Sequence, residues 1–336
     1  EAYYNMGNAL KNKGDLKAAI DRFKQALKIK PDFAGAWNNL IFPLQAIKLQ
    51  VPSVEKLLSK INPKTGSQYA QIAKSILSFS LHQGGNNAER ALNEVYRLLS
   101  KADDRITRNP EVTNKESPPQ IIGPDNTVAL VHFGRSGTGL LHSLIDYHPE
   151  VSTMPSIYFS EFFNHSTWEK IVSEGWSKMV DHFIANYEVL FDASTRSPIQ
   201  TKSKHHINYL GQKDGMANVG DQRDEVLRVD KALFRLELRR LMDLNDHLDA
   251  YVFFKLVHMA YDKALKDHNL KNLIFYHIHN PDNYAKLNFA HAAPNASWVM
   301  MVREPIQACE SWVNSDFHKN EYTDILTKII TMLFEI

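Results

Sequence analysis

Three glycines, an arginine and two hydroxyl residues occupy one short stretch, Gly134-Arg135-Ser136-Gly137-Thr138-Gly139. An apolar, β-prone run precedes it, Thr127 to Phe133, and a helical apolar pattern follows, Leu140, Leu141, Leu144 and Ile145. Strand, glycine-rich turn and helix is an arrangement that holds phosphate. The N–H groups of the turn and of the first helical turn have no partner within the helix. The helix dipole adds partial positive charge at the same point. Arg135 adds a full charge, and Ser136 and Thr138 add hydroxyl donors. A Walker A loop requires a lysine after its last glycine; none stands there, so this loop must bind its anion in another way.

The elements that must position such a loop are legible around it. Leu273 to Ile278 reads as a second strand, with His277 and His279 at its carboxyl end. A helix follows to His291, and Ser297 to Val302 reads as a third strand, apolar throughout. Continuous apolar runs suit parallel strands covered on both faces, and helices between them give α/β connectivity. Between the loop and the second strand, Ile157 to His165 reads as a short aromatic helix, and residues 166–190 have helical spacing. Residues 192–223 read as a long loop or lid. Glu225 to Leu244 and Ala250 to Leu265 read as amphipathic helices.

The loop resembles the 5′-phosphosulfate loop of sulfotransferases that use 3′-phosphoadenosine 5′-phosphosulfate (PAPS). Members of that family read P-[KR]-S-G-T-[TS], followed by a helix and HP-[ED]-V. This chain has Arg135-Ser136-Gly137-Thr138, then His148-Pro149-Glu150-Val151. Gly139 departs from the family, which often has a second hydroxyl residue there. The resemblance has a second part. After the third strand stands Arg303-Glu304-Pro305, with Ser311 eight residues beyond Arg303. In the family an R-[DN]-P motif and a serine at this spacing hold the nucleotide's 3′-phosphate. Arginine suits a phosphate dianion because its guanidinium is a rigid fork of donors. Glu304 replaces the commoner Asp or Asn.

The resemblance implies sulfonate transfer from PAPS to a hydroxyl or amine by in-line displacement, with no metal. Gly134, Arg135, Ser136, Gly137, Thr138, Gly139, Arg303 and Ser311 are then the nucleotide-binding residues, and Arg135 also meets the charge that develops on the leaving group. A base must take the acceptor's proton. Some relatives use a glutamate a little after the phosphate-loop helix, others a histidine farther on. Glu161 is the nearest acidic candidate, and its aromatic neighbours Tyr158, Phe159, Phe162 and Phe163 favour partial burial, as suits a base. His165, His277 and His279 are the alternatives. His258 stands on an apolar helix face and reads as a packed core histidine.

Residues 1–32 resemble a tetratricopeptide repeat, a helix–turn–helix unit. Tyr3, Met6, Gly7, Leu10, Gly14, Ala19, Phe23, Ala26 and Pro31 carry the likeness, and Trp37 and Leu40 begin a second repeat in register. That repeat degrades after Pro43. Two further helices are expected near 67–83 and 86–101 as a capping hairpin. The expected organisation is thus an all-α repeat region at 1–102, a polar, proline-rich linker at 103–125, and a three-layer α/β sulfotransferase-type domain with a parallel sheet at 126–336. Both ends fall inside recognisable patterns, so the chain reads as a fragment.

Composition narrows the classes further. No apolar run in the 336 residues is long enough for a membrane span. The single Cys309 excludes an internal disulfide and a cysteine metal cluster, which suits a reducing, cytoplasmic setting. The histidines show no metal-ligand spacing. Residues 1–105 carry 16 Lys/Arg against 9 Asp/Glu, a net +7, and the remainder is −6. This split does not suggest nucleic acid. It favours an acidic protein or acceptor docking on the repeats, where Lys11, Lys13, Lys17, Lys24, Lys28 and Lys30 cluster. The other functions open to such a chain are a catalytically weak repeat scaffold with a nucleotide-binding domain, and a P-loop phosphotransferase.

Overall fold

A computed structural model describes residues 1–47, 68–81, 85–99, 105–108, 123–132, 136–155, 159, 161–195, 216, 219–279, 283–313, 325–326 and 329. The first helical pair is α1 (Ala2–Asn12) and α2 (Leu16–Ile29). Gly14 makes the turn between them with φ +84°, a conformation that glycine adopts without a Cβ clash. Asp15 caps α2 by accepting from the Ala18 N–H at 3.1 Å. The two helices nest because Gly7 faces the ring of Phe23. A Cβ at Gly7 would lie 2.5 Å from Phe23 Cε1. Gly7→Ala is therefore expected to destabilise the protein by about 1–3 kcal/mol, read as a lower urea midpoint at unchanged slope. An unchanged midpoint would show that the pair re-packs freely.

The second repeat starts in the expected register and then breaks. Trp37 and Leu40 are buried, and Trp37 Nε1 donates to the Pro31 carbonyl at 2.7 Å. Its first helix is split into α3 (Ala34–Asn38) and α4 (Ile41–Ala46). Pro43 sits in the first turn of α4, where no intrahelical N–H is needed. Asn39 fills the break and ties it to α1: its amide donates to Tyr4 Oη and Asn8 Oδ1, and its oxygen accepts from Lys11 Nζ. The expected hairpin is present as α5 (Gln68–Leu81) and α6 (Gly85–Leu99). Phe23, Trp37, Leu40, Leu77 and Val95 form one core across these helices.

The remainder is built on four parallel strands, β2 (Asn126–His132), β3 (Val151–Thr153), β5 (Leu273–His279) and β6 (Ser297–Met301), in the order β3-β5-β2-β6. A separate antiparallel pair joins β1 (Ile106–Thr107) to β4 (His247–Leu248). Arg108 extends it, donating its N–H to Asp246 O and pairing with Asp243. Residues 106–108 of the expected linker thus belong to the α/β part.

Three helices cover the sheet: α7 (Thr138–Ile145) after β2, α11 (Ala250–Ala264) before β5, and α12 (Asn283–Ala292) between β5 and β6. One face, with Ala129, Val131, Ile274, Tyr276 and Ile278, packs into an aromatic core with α11 and α12. The other face carries α7. The chain leaves β2 towards β3 on one side and crosses from β5 over β2 to β6 on the other, so right-handed crossovers put the two helices on opposite faces. The connection reverses at β2, and in open α/β sheets ligands bind outside the carboxyl ends of the strands at such a reversal.

Several expectations need correcting. In the stretch expected as a helix from Ile157 to His165, Phe159 and Glu161 to Asn164 are turn, while Ile157, Tyr158 and Ser160 lie outside the described residues; α8 (His165–Val172) begins after the turn, capped by Asn164 Oδ1 on the Ser166 N–H. The helical pattern at 166–190 is interrupted at Gly175, which has φ +82°, before α9 (Met179–Asn186). The helix expected from Glu225 starts only at α10 (Lys231–Met242), because Asp230 accepts from the N–H groups of Ala232 and Leu233 and fixes the N-terminus there. Of the expected lid, residues 192–195, 216 and 219–223 are described; Asp192 bridges to Arg228 and Val219 to Glu225. The strand read as buried on both faces, β6, stands at the edge of the sheet with Trp298, Val299 and Met300 exposed. Among the described residues no helix is long and apolar enough to cross a membrane.

Candidate functional site

The site gathers at the carboxyl ends of β2, β5 and β6. In the parallel register His132 pairs with His279 on one side and with Met301 on the other. The glycine-rich loop follows His132 directly, and Arg303 stands two residues after Met301. The two motifs, far apart in sequence, therefore leave neighbouring strands in the same direction. Gly137 caps α7 with φ +92°, and a Cβ there would lie 3.4 Å from Met301 Cε. Gly139 has open space around its Cα, so the hydroxyl it lacks relative to the resembled family is not excluded by crowding. Ser136 and Thr138 are buried at the loop end. Gly134 and Arg135 lie outside the described residues.

Arg303 is half-buried at the start of α13 (Pro305–Val313). Glu304 accepts from the Gln307 N–H at 2.8 Å. It thereby caps α13, as the commoner Asp or Asn would, and Pro305 takes the first helical position, where its missing N–H costs nothing. Ser311 is half-buried one and a half turns into α13, while Ala308, Cys309 and Trp312 pack inward against Ile325 and Ile329.

His148-Pro149-Glu150-Val151 has a structural task. The Glu150 carbonyl accepts from the N–H groups of Asn272 and Leu273, and the His148 carbonyl accepts from Lys271 Nζ. This latches the start of β3 to the start of β5, at the end of the sheet away from the loop.

The base candidates separate clearly. Glu161 is exposed, contrary to the expected partial burial. In the turn, Phe159, Phe162 and Phe163 point inward and the carboxylate points out. Its charge acts on Tyr187, just after α9, and on Tyr276 of β5, both in the aromatic core on the side of the sheet opposite α7. His165 is engaged with Glu169 at 3.3 Å on its own helix. His277 and His279 point to the α7 face, two residues apart on β5, and His279 is at the strand end beside His132 and the loop.

Two histidines that sequence reasoning missed complete this group. His142 Nδ1 lies 2.8 Å from His277 Nε2, His277 Nδ1 lies 3.2 Å from His132 Nε2, and His132 Nδ1 lies 3.3 Å from His279 Nδ1. His132 and His277 are buried, and His142 and His279 are half-buried. Burial, reinforced by the neighbouring imidazoles, holds His277 down to about 2. Burial alone holds His279 at about 4. His142 is lowered by burial, with Asp146 opposing. The available signal was a histidine ending each of two apolar strands, with His142 one turn into the helix between them. Among the described residues no group of three or more His, Cys, Asp or Glu is arranged to hold a metal ion.

A second polar cluster is closed off from the strand ends. His258 is buried, as expected of a core histidine, and its Nδ1 lies 2.9 Å from Ser152 Oγ. Burial pushes it down to about 3. Asp262, also buried and hydrogen-bonded to Ser152, is pushed up to about 7 by desolvation.

Among known proteins, the tetratricopeptide repeat family model matches residues 1–33. These residues are a tetratricopeptide repeat, a unit that generally mediates protein interactions. No curated protein and no solved structure matches the chain.

Proposed function

We propose that the α/β part binds PAPS and transfers its sulfonate to a hydroxyl or amine of an acceptor. The observation that carries this reading is the pairing of His132 with Met301. It supports the reading because the described end of the loop, Ser136-Gly137-Thr138, and the Arg303…Ser311 motif leave neighbouring strands at the reversal point of a parallel sheet, as one nucleotide carrying 5′ and 3′ phosphates would require. In the proposed reaction the acceptor oxygen attacks sulfur and the bond from sulfur to the 5′-phosphate oxygen breaks. The N–H groups at the start of α7, with Arg135, Ser136 and Thr138, meet the charge that grows on that oxygen. His279 takes the acceptor's proton.

Arg303→Ala tests the reading. It is expected to weaken binding of 3′-phosphoadenosine 5′-phosphate by about 1.5–3 kcal/mol, and to leave binding of the analogue without the 3′-phosphate nearly unchanged. Equal losses for both ligands would remove the assignment. A parallel titration with ATP distinguishes a phosphotransferase, and a turnover assay distinguishes a scaffold that binds nucleotide without reacting.

We assign the basic repeat region to an acidic protein or acceptor. Lys11 and Lys24 already contact Asn39 and Asp21, Lys30 lies over the Phe33 ring and Lys13 precedes the turn at Gly14, so Lys17 and Lys28, both on α2, are the better probes. Charge reversal at both is expected to raise KM for an acidic acceptor at low salt, with the difference shrinking as salt shortens the Debye length. The same KM for parent and variant at low salt would count against docking.

A further inference from the structure

We infer that His142, His277, His132 and His279 form one hydrogen-bonded imidazole relay that carries a proton between the strand-end site and the surface of α7. Both inner rings use both of their nitrogens within the chain. His277 reaches His142 through Nε2 and His132 through Nδ1, and His132 reaches His277 through Nε2 and His279 through Nδ1. The backbone imposes this order. His132 and His279 are register partners, so their side chains leave the same face of the sheet. His277 is two residues earlier on the same face, and α7 lays His142 over it.

Proton counting decides how the chain works. Burial keeps His142, His277 and His279 neutral near pH 7, and His132 is buried between them. Four neutral imidazoles carry one ring proton each. Three lie in the three N···N contacts, and the fourth must sit on the outer nitrogen of one end, either His279 Nε2 or His142 Nε2. With the fourth proton on His142, the Nε2 of His279 is a bare acceptor. A proton taken there displaces the Nδ1 proton of His279 to His132 Nδ1. The Nε2 proton of His132 moves to His277 Nδ1, and the Nε2 proton of His277 moves to His142 Nδ1. His142 then holds two protons and releases the one on Nε2. No atom other than hydrogen moves, and one proton enters as one leaves. The first pattern returns by reverse hops once the product has left and the site is open to water: His142 Nε2 takes a proton from solvent and His279 Nε2 gives one to water in the site, so the relay keeps the closed site neutral during transfer and exports no proton over the full cycle. Burial lowers His142, but Asp146 opposes that shift at the exit, whereas at His277 the neighbouring imidazoles add to the effect of burial.

The relay rests on the sulfonate-transfer reading only for the source of the proton. That reading needs it, because each transfer to a hydroxyl frees one proton in a site that must exclude water.

The test uses the full chain with 15N-labelled histidine. Scalar couplings between nitrogens across the three contacts, with four neutral rings at pH 7, are the expected result. Their absence, or charged rings at His132 and His277, would overturn the relay. His142→Ala should then lower turnover with PAPS, leave KM unchanged, and regain rate on addition of free imidazole, which a merely structural role would not permit. Parent-like turnover in that variant overturns the relay even if the couplings are present. If the parent chain transfers no sulfonate from PAPS, that reading falls, and the relay is judged by solvent deuterium exchange of the buried His277 ring proton. His142→Phe must slow that exchange; an unchanged rate overturns it.

Discussion

His279→Gln is expected to lower sulfonate turnover by roughly 10²-fold or more while leaving nucleotide affinity intact. The ring stands at the carboxyl end of β5, next to the strand that feeds the phosphate loop, and burial keeps it unprotonated, at about 4. A neutral imidazole has the lone pair a base needs, and glutamine keeps the polarity but not the basicity. Glu161→Gln, by contrast, should leave turnover close to that of the parent. The Glu161 residue is exposed, and its charge acts on two tyrosines of the aromatic core, on the side of the sheet away from α7. Single-turnover kinetics with both variants decides between them. A large loss in Glu161→Gln with parent-like rates in His279→Gln would return the role to the carboxylate and remove the entry point of the imidazole relay.

Asp262→Asn should stabilise the protein at pH 8 by a few kcal/mol and change little at pH 4. The folded carboxyl is raised from its ordinary 3.8 to about 7. A raised carboxyl contributes its stability fully at low pH and loses it as pH rises from about 4 to about 7, at about 1.4 kcal/mol for each pH step of one across that interval. Asparagine never ionises, so it removes that loss while still accepting from Ser152. His258 works in the other sense. Its folded value of about 3 lies below the ordinary 6.5, so its contribution is present above 6.5 and lost as pH falls towards 3. Between about pH 4 and 6.5 the two slopes oppose each other in the parent, and Asp262→Asn should expose a stability that rises with pH there. Urea denaturation across this range provides the check. A gain of equal size at pH 4 and pH 8 would mean that the effect is packing rather than ionisation.

How legible the molecule was in its sequence depended on how local each signal is. The strands at Leu273 and Ser297 announced themselves as continuous apolar runs, and the repeat as large and small apolar residues at fixed spacing. The strand β3 did not, because Val151–Thr153 is three residues long and holds its place by latching to β5. The pair β1–β4 is shorter still, and it draws residues 106–108 out of what composition marked as linker. Glu161 was misjudged through its neighbours. Aromatic residues around a carboxylate suggest burial if the segment is a helix, but in a turn the rings go one way and the charge the other. The histidine group was hidden for a different reason. Its contacts join residues 135, 145 and 147 positions apart, and nothing in local spacing shows that His132 and His279 share a register line. The glycine-rich loop and the Arg303-Glu304-Pro305 stretch stood out because each is a short, self-contained strand-end pattern; their adjacency depends on the β2–β6 pairing.

The helix α12 belongs to two cores at once. Ala285 and Phe289 pack into the aromatic core under the sheet, while Leu287 is part of the core formed by the repeat helices. His291 stacks on Tyr96 of α6 with ring centroids 5.9 Å apart. Residues four apart share a side of a helix, so 285 and 289 look towards the sheet and 287 and 291 towards the repeats. Removing the repeats would strip one side of a helix that packs on the sheet, so truncation is not a neutral operation on the strand-end site. The two regions are expected to melt as neighbours bound through a common wall rather than as beads on a string. Anything that stiffens the repeat layer also raises the cost of letting α12 open, and α12 is the connection that sets β5 and β6 on either side of β2.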